Sequence, residues 1–151
     1  MMNIFDKIRQ YTKFENREDI DNFEKAVWDL AASVDPQTLE KLVDLFDDEC
    51  AYYEVMYSLV HAIETYPDEI YVEGILRKTA DAVQTSPLWL DCLCNRIFNN
   101  KKCLVLFKKG LHVPPKESLL QLFNIMEVES PHHRELIDDL RKELAAPKAD
   151  S

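Results

Sequence analysis

A chain of 151 residues, 46% hydrophobic and 30% charged, fits one domain with a sizeable core, and its composition excludes global disorder. Its net charge of −10 argues against nucleic acid or an anionic membrane as partner, and no stretch reaches the ~18–20 uncharged apolar residues of a membrane span. Only Gly74 and Gly110 supply glycine, and the seven prolines fall mainly between apolar-periodic segments, which points to an all-α protein.

In chain order, Ile4, Phe5, Ile8 and Tyr11 predict a short opening helix over about 4–14. Ile20, Phe23, Val27, Leu30 and Ala31 share one face of a helix over 18–32. Asp35 and Pro36 suit the N-cap and first position of a third helix, with Leu39, Leu42, Val43 and Phe46 as its apolar stripe. A helix over 47–65 stops before Pro67. The next begins at Pro67 and buries Val72, Ile75, Leu76, Thr79 and Val83. Ser86 and Pro87 open another, a shorter apolar helix covers "KKCLVLFKKGL", Pro114 and Pro115 precede "KESLLQLFNIME", and Pro131 begins a last helix ending near 145. The expected organisation is a single all-helical domain over 1–146 with a frayed tail at 147–151. Antiparallel helix pairs joined by short turns suggest a short HEAT/armadillo-like α-solenoid; no internal repeat is visible, so an irregular helical bundle is the alternative.

The opening residues carry charge from Asp6 on and lack a signal-peptide apolar run, so the expected location is the cytoplasm. Cys50, Cys92, Cys94 and Cys103 are then reduced, small apolar residues. Cys92 and Cys94 lie on diverging faces, with no second pair to complete a zinc set. No cofactor is expected.

The charge is unevenly spread. Residues 35–73 hold 11 acids and the single base Lys41, which accounts for the whole imbalance, and five of the six tyrosines lie there too. Residues 74–110 reverse the sign. An acidic surface bearing tyrosines attracts a basic protein and offers rings with polar tips to it. Stepping 100° per residue from Phe46 places Tyr52, Tyr53, Val55, Met56, Leu59, Val60 and Ile63 toward the core. The opposite sector holds Asp47, Glu54, Ser58, His61 and Glu64, with Tyr57 on its border. His61-x-x-Glu64 reverses the order of bundle di-metal sites and no second helix supplies a partner pair. No nucleophile, oxyanion donor or phosphate loop accompanies Glu54 and His61, so the chain reads as a binder, not an enzyme. His132 and His133 are expected as exposed residues at a helix start.

On the helix after Ser86, Leu90, Leu93, Cys94 and Ile97 face inward, while Trp89, Cys92, Arg96 and Asn99 line a flank. Either Trp89 closes the core and Arg96 pairs with an acid, or the flank adjoins the Glu54/His61 stripe and joins its contact surface. Lys101, Lys102, Lys108 and Lys109 are expected to balance the acidic quarter or solvate helix ends, with a second contact patch as the alternative.

The stretches "EVMYSLVHAIETYPDEIYVEGIL" and "SPLWLDCLCNRIFNN" resemble the immunity protein 30 family of bacterial polymorphic-toxin and contact-dependent growth-inhibition systems. The residues that carry the likeness are Glu54, Val55, Met56, His61, Ile63, Glu64, Ser86, Pro87, Trp89, Arg96, Ile97 and Asn99. The resemblance implies a small α-helical protein that binds and neutralises a cognate toxin C-terminal domain; the acidic, tyrosine-bearing surface suits a basic target, such as a nuclease whose site attracts phosphate. The contact set expected on this reading is Asp47, Asp48, Glu54, Tyr57, His61 and Glu64, with Glu69 and Glu73 as steering charges. A helical-repeat adaptor for another basic cytoplasmic protein is the alternative.

Overall fold

The computed structural model describes residues 5, 6, 8 and 14–146. Most of the expected opening helix and the whole of the tail at 147–151 lie outside the described residues. Among the described residues the chain forms eight α-helices and a 3₁₀ turn, with no strand.

Helix α1, Arg17–Ala31, starts where the Asn16 side chain accepts a hydrogen bond from the Asp19 amide at 2.9 Å and Asp19 reciprocates to the Glu15 amide at 3.0 Å. Ile20, Phe23, Val27 and Ala31 are buried. The turn that follows carries Val34 at φ 54°, a left-handed conformation that a β-branched side chain resists. Val34→Gly relieves that strain at an exposed position but gives the unfolded chain more freedom, so a net gain in unfolding free energy of no more than about 1 kcal/mol is expected by chemical denaturation.

Helix α2, Pro36–Val43, opens as its sequence indicates, with Asp35 accepting from the Gln37 amide at 3.0 Å and Pro36 in the first turn. It ends earlier than the apolar spacing suggests. Phe46 is buried, but from the non-helical segment 44–52. Helix α3 is Tyr53–Glu64, so the expected 47–65 helix loses its first six residues. Asp47 turns back to accept from the Glu49 amide at 2.9 Å, a local bond that competes with helix.

Helix α4, Asp68–Thr85, is the longest at 18 residues and lies centrally, against α2, α5 (Pro87–Phe98), α6 (Lys101–Lys109) and α7 (Lys116–Glu129). Its expected buried set, Val72, Ile75, Leu76, Thr79 and Val83, is buried, and the Thr79 hydroxyl donates to the Ile75 carbonyl at 2.9 Å. Asn100 caps α6 by accepting from the Cys103 amide at 3.0 Å. The final element is not one helix from Pro131: a 3₁₀ turn, Pro131–His133, precedes α8, Arg134–Ala145.

Helices two apart in sequence pack together, α1 on α3, α2 on α4, α4 on α6 and α5 on α7, around one hydrophobic cluster. The architecture is an all-helical bundle with paired helices. Ser130 joins α7 to α5 inside it. Its hydroxyl donates to the Asp91 carboxylate, with oxygens at 2.9 and 3.2 Å, and accepts from the Asn95 side-chain amide, which also donates to the Asp91 carbonyl at 3.1 Å. Burial pushes the Asp91 carboxyl above the usual range, and nearby Glu129 adds to the rise. His133, expected at the surface, is buried beside this group with its ring edge-on to Phe98. Burial, with His132 next to it, holds its imidazole below the ordinary value, because the charged form loses its hydration. His132 stays exposed.

Candidate functional site

The Tyr-bearing helix α3 and the Trp-bearing helix α5 meet at Trp89. Trp89 is buried, with Phe46 stacked on its indole at 5.6 Å and 22°. Tyr57 meets it edge-on at 5.1 Å, and Tyr53 lies at 6.3 Å, inclined by 51°. Aromatic pairs at such spacings add to the gain from burial. Around this ring cluster opens a surface cleft of about 330 Å³ lined by Asp48, Tyr53, Tyr57, Leu88, Trp89 and Cys92. Tyr53 is 63% exposed, Leu88 48% and Tyr57 43%, so three large side chains lie half in water at its mouth.

Tyr52 and Tyr53 were expected to face the core, and both are exposed instead. They lie at the very start of α3, where there is no preceding turn to cover them, and the 100° step from Phe46 fails because residues 44–52 are not helical. Tyr53 and Leu88 are the residues of the cleft that sequence reasoning did not single out. A signal existed for Tyr53: an acidic run such as Asp47-Asp48-Glu49 suits the approach to a helix N-terminus better than its interior, which would start the helix later.

Asp48 has a structural task. Its carboxylate accepts from the Leu88 amide at 2.9 Å and the Trp89 amide at 3.2 Å, capping α5 from across the cleft while Ser86 makes no side-chain cap bond. Asp48→Ala is expected to lower stability by about 1 kcal/mol in a denaturant titration and to loosen the cleft's edge; an unchanged midpoint would contradict the capping role.

Glu64 reaches α5 as well. Arg96 donates from Nε and Nη2 to its two carboxylate oxygens, both at 2.8 Å, a bidentate pair. That bond with Glu64 raises the guanidinium's already high pKa. His61 is exposed with Nδ1 at 3.7 Å from the same carboxylate. Burial pushes the Cys92 thiol upward, against the pull of nearby Arg96 and Tyr57. The first reading of the flank is the one seen: Trp89 closes the core and Arg96 pairs with an acid, Glu64, which also places the flank next to the Glu64/His61 end of α3. Asn99 is the exposed C-cap of α5.

The remaining acids separate by their partners. Glu69 and Asp68 face Lys102 at 3.5 and 3.6 Å, and Glu69 is held below its ordinary value by a backbone hydrogen bond and by Lys102. Glu73 pairs with Arg77 at 2.6 Å one turn along α4. Both line a different groove, between α4 and α6. Of the basic run, Lys102 thus balances the acidic quarter. Among the described residues, Asp47, Glu49 and Glu54 enter no ion pair, and they sit at the segment 44–52 and the first turn of α3. Ser58, on the Glu54 stripe, donates to Glu24 of α1 at 2.6 Å.

All four cysteines are free; burial raises the Cys94 thiol, and burial with nearby Asp68 pushes Cys103 up to about 11. Among the described residues no group of three or more His, Cys, Asp or Glu gathers as a metal-ligand set, and no helix is long and apolar enough to cross a membrane.

Among the described residues the chain is thus a helical bundle without strands that carries an open aromatic cleft on α3 and α5. The immunity protein 30 family model matches residues 10–107, and the chain belongs to that family. Its role is that of an immunity protein, which acts by binding a toxin partner and not by catalysis. No curated protein and no solved structure matches the chain.

Proposed function

We propose that this immunity protein neutralises a cognate toxin domain by docking the aromatic cleft of α3 and α5, with its acidic edge, onto a basic surface of that domain. The observation that carries the reading is the cleft itself: Tyr53, Tyr57 and Leu88 exposed around a buried Trp89, with Asp47 and Glu54, sequence neighbours of the cleft residues Asp48 and Tyr53, entering no ion pair among the described residues. Interfaces draw much of their energy from aromatic anchors at a desolvated centre, and surrounding charges raise the association rate. Asp47, Glu54, Tyr57 and His61 make direct contacts on this reading. Asp48 and Glu64 hold the cleft's shape through Leu88, Trp89 and Arg96, and Glu69 and Glu73 add to the field at a distance.

The pairing of helices two apart supports a short solenoid-like stack that presents the cleft on one face. A nuclease suits the acidic surface as target, because an active site that attracts phosphate must be basic. Neutralisation would take place in the cytoplasm.

The test is affinity for the toxin domain encoded beside the gene. Asp47→Lys with Glu54→Lys is expected to weaken binding at least about tenfold at low salt, mostly through slower association, and the difference is expected to shrink at high salt. Unchanged affinity at low salt sinks the site assignment.

A further inference from the structure

We infer that the cleft at the start of α5 receives an arginine or lysine side chain presented by the partner, an inference that rests on the toxin-binding reading above. The walls have the right chemistry. Tyr53 and Tyr57 stand one turn apart on α3 with large parts of their rings in water, each inclined steeply to the Trp89 indole below them. Ring faces attract a cation through their quadrupole, and the stem of a long basic side chain packs on an exposed aliphatic surface such as Leu88.

The electrostatics agree. A helix N-terminus repels cations, but here Asp48 accepts from the Leu88 and Trp89 amides and offsets the positive end of α5. Helices α3 and α5 together contain one Lys or Arg, Arg96, and Glu64 holds it in a bidentate pair. Asp47 and Glu54 adjoin the cleft residues Asp48 and Tyr53 in sequence and enter no ion pair among the described residues. An acidic partner side chain would meet repulsion there. A purely apolar one would leave the carboxylates unanswered.

The experiment uses the full chain and small probes. Butylguanidinium and neutral 1-pentanol are titrated separately at constant ionic strength while amide and indole N–H signals are followed by NMR. The two indoles serve as reporter and control, since Trp89 lies in the cleft and Trp28 lies on α1. The expected result is saturable movement of the Trp89 indole and of the Tyr53, Tyr57 and Leu88 amides with butylguanidinium, none at Trp28, and clearly weaker binding of pentanol. Tyr53→Ala, at a mostly exposed position that leaves the core intact, is expected to weaken butylguanidinium binding about fivefold. Equal response to pentanol, or no saturable response to butylguanidinium, overturns the inference. Neither of those results bears on whether the chain rescues cells from its toxin, so the socket and the immunity reading fail separately.

Discussion

Trp89→Ala is expected to lower the unfolding free energy by about 3–5 kcal/mol, the cost of truncating a buried aromatic side chain. Its indole is almost wholly buried and touches Phe46, Tyr53 and Tyr57, so its loss opens a cavity between the 44–52 segment, α3 and α5. In a domain of this size that corresponds to a drop in Tm of roughly 10 °C. Binding suffers with it, because the two tyrosines lose the floor that sets their angle. Trp89→Phe keeps a ring on Phe46 and is expected to retain most of the stability. A loss below about 1 kcal/mol in Trp89→Ala would mean that the ring cluster does not hold the cleft together.

Gly74→Val is expected to cost about 3 kcal/mol, the upper end for overpacking. The glycine faces α2 in the most extensive helix pairing of the bundle, where a Cβ at position 74 would stand 2.0 Å from Leu39 Cδ2. Leu39 is fully buried, so its methyl has no solvent to swing into and must either repack against the surrounding core or push α2 away from α4. The mechanism has its own check in a double variant. Leu39→Ala alone costs about 3 kcal/mol through its cavity, but combined with Gly74→Val the two volumes offset, and the pair is expected to cost clearly less than the sum. Strict additivity would place the damage somewhere other than this contact.

Much of the helical order can be read from the sequence because local chemistry sets it. Asp35-Pro36 and Ser86-Pro87 mark true helix starts, and the spacing of Val72, Ile75, Leu76, Thr79 and Val83 identifies the inner face of α4. Residues 44–52 mislead, since Leu45 and Phe46 are buried at positions that continue a helical stripe. What breaks the helix there is the turn at Asp47 together with a bond from Asp48 to amides 40 and 41 residues away, and nothing in the local sequence announces the second. The choice between free and engaged acids is tertiary for the same reason. Glu54 and Glu64 are alike in sequence, yet the Glu64 carboxylate is taken by Arg96 from 32 residues along the chain. Gly74 reads as an ordinary helix-interior glycine until Leu39 is placed against it. His133 follows a proline as a surface residue would, and only the packing of Phe98 and the Ser130 junction encloses it.

Growth of cells producing the cognate toxin domain tests the central claim most directly. The domain encoded beside this gene is co-expressed with the wild-type chain and with the Tyr53→Ala/Tyr57→Ala/Glu54→Lys variant, whose changes lie at exposed positions, and co-purification is scored alongside growth. Rescue and a stable complex with the wild-type chain, both lost in a variant that stays folded by circular dichroism, is the predicted result. Equal rescue by the variant would remove the cleft from the interface, and a toxin that kills regardless of the wild-type chain would remove the partner itself.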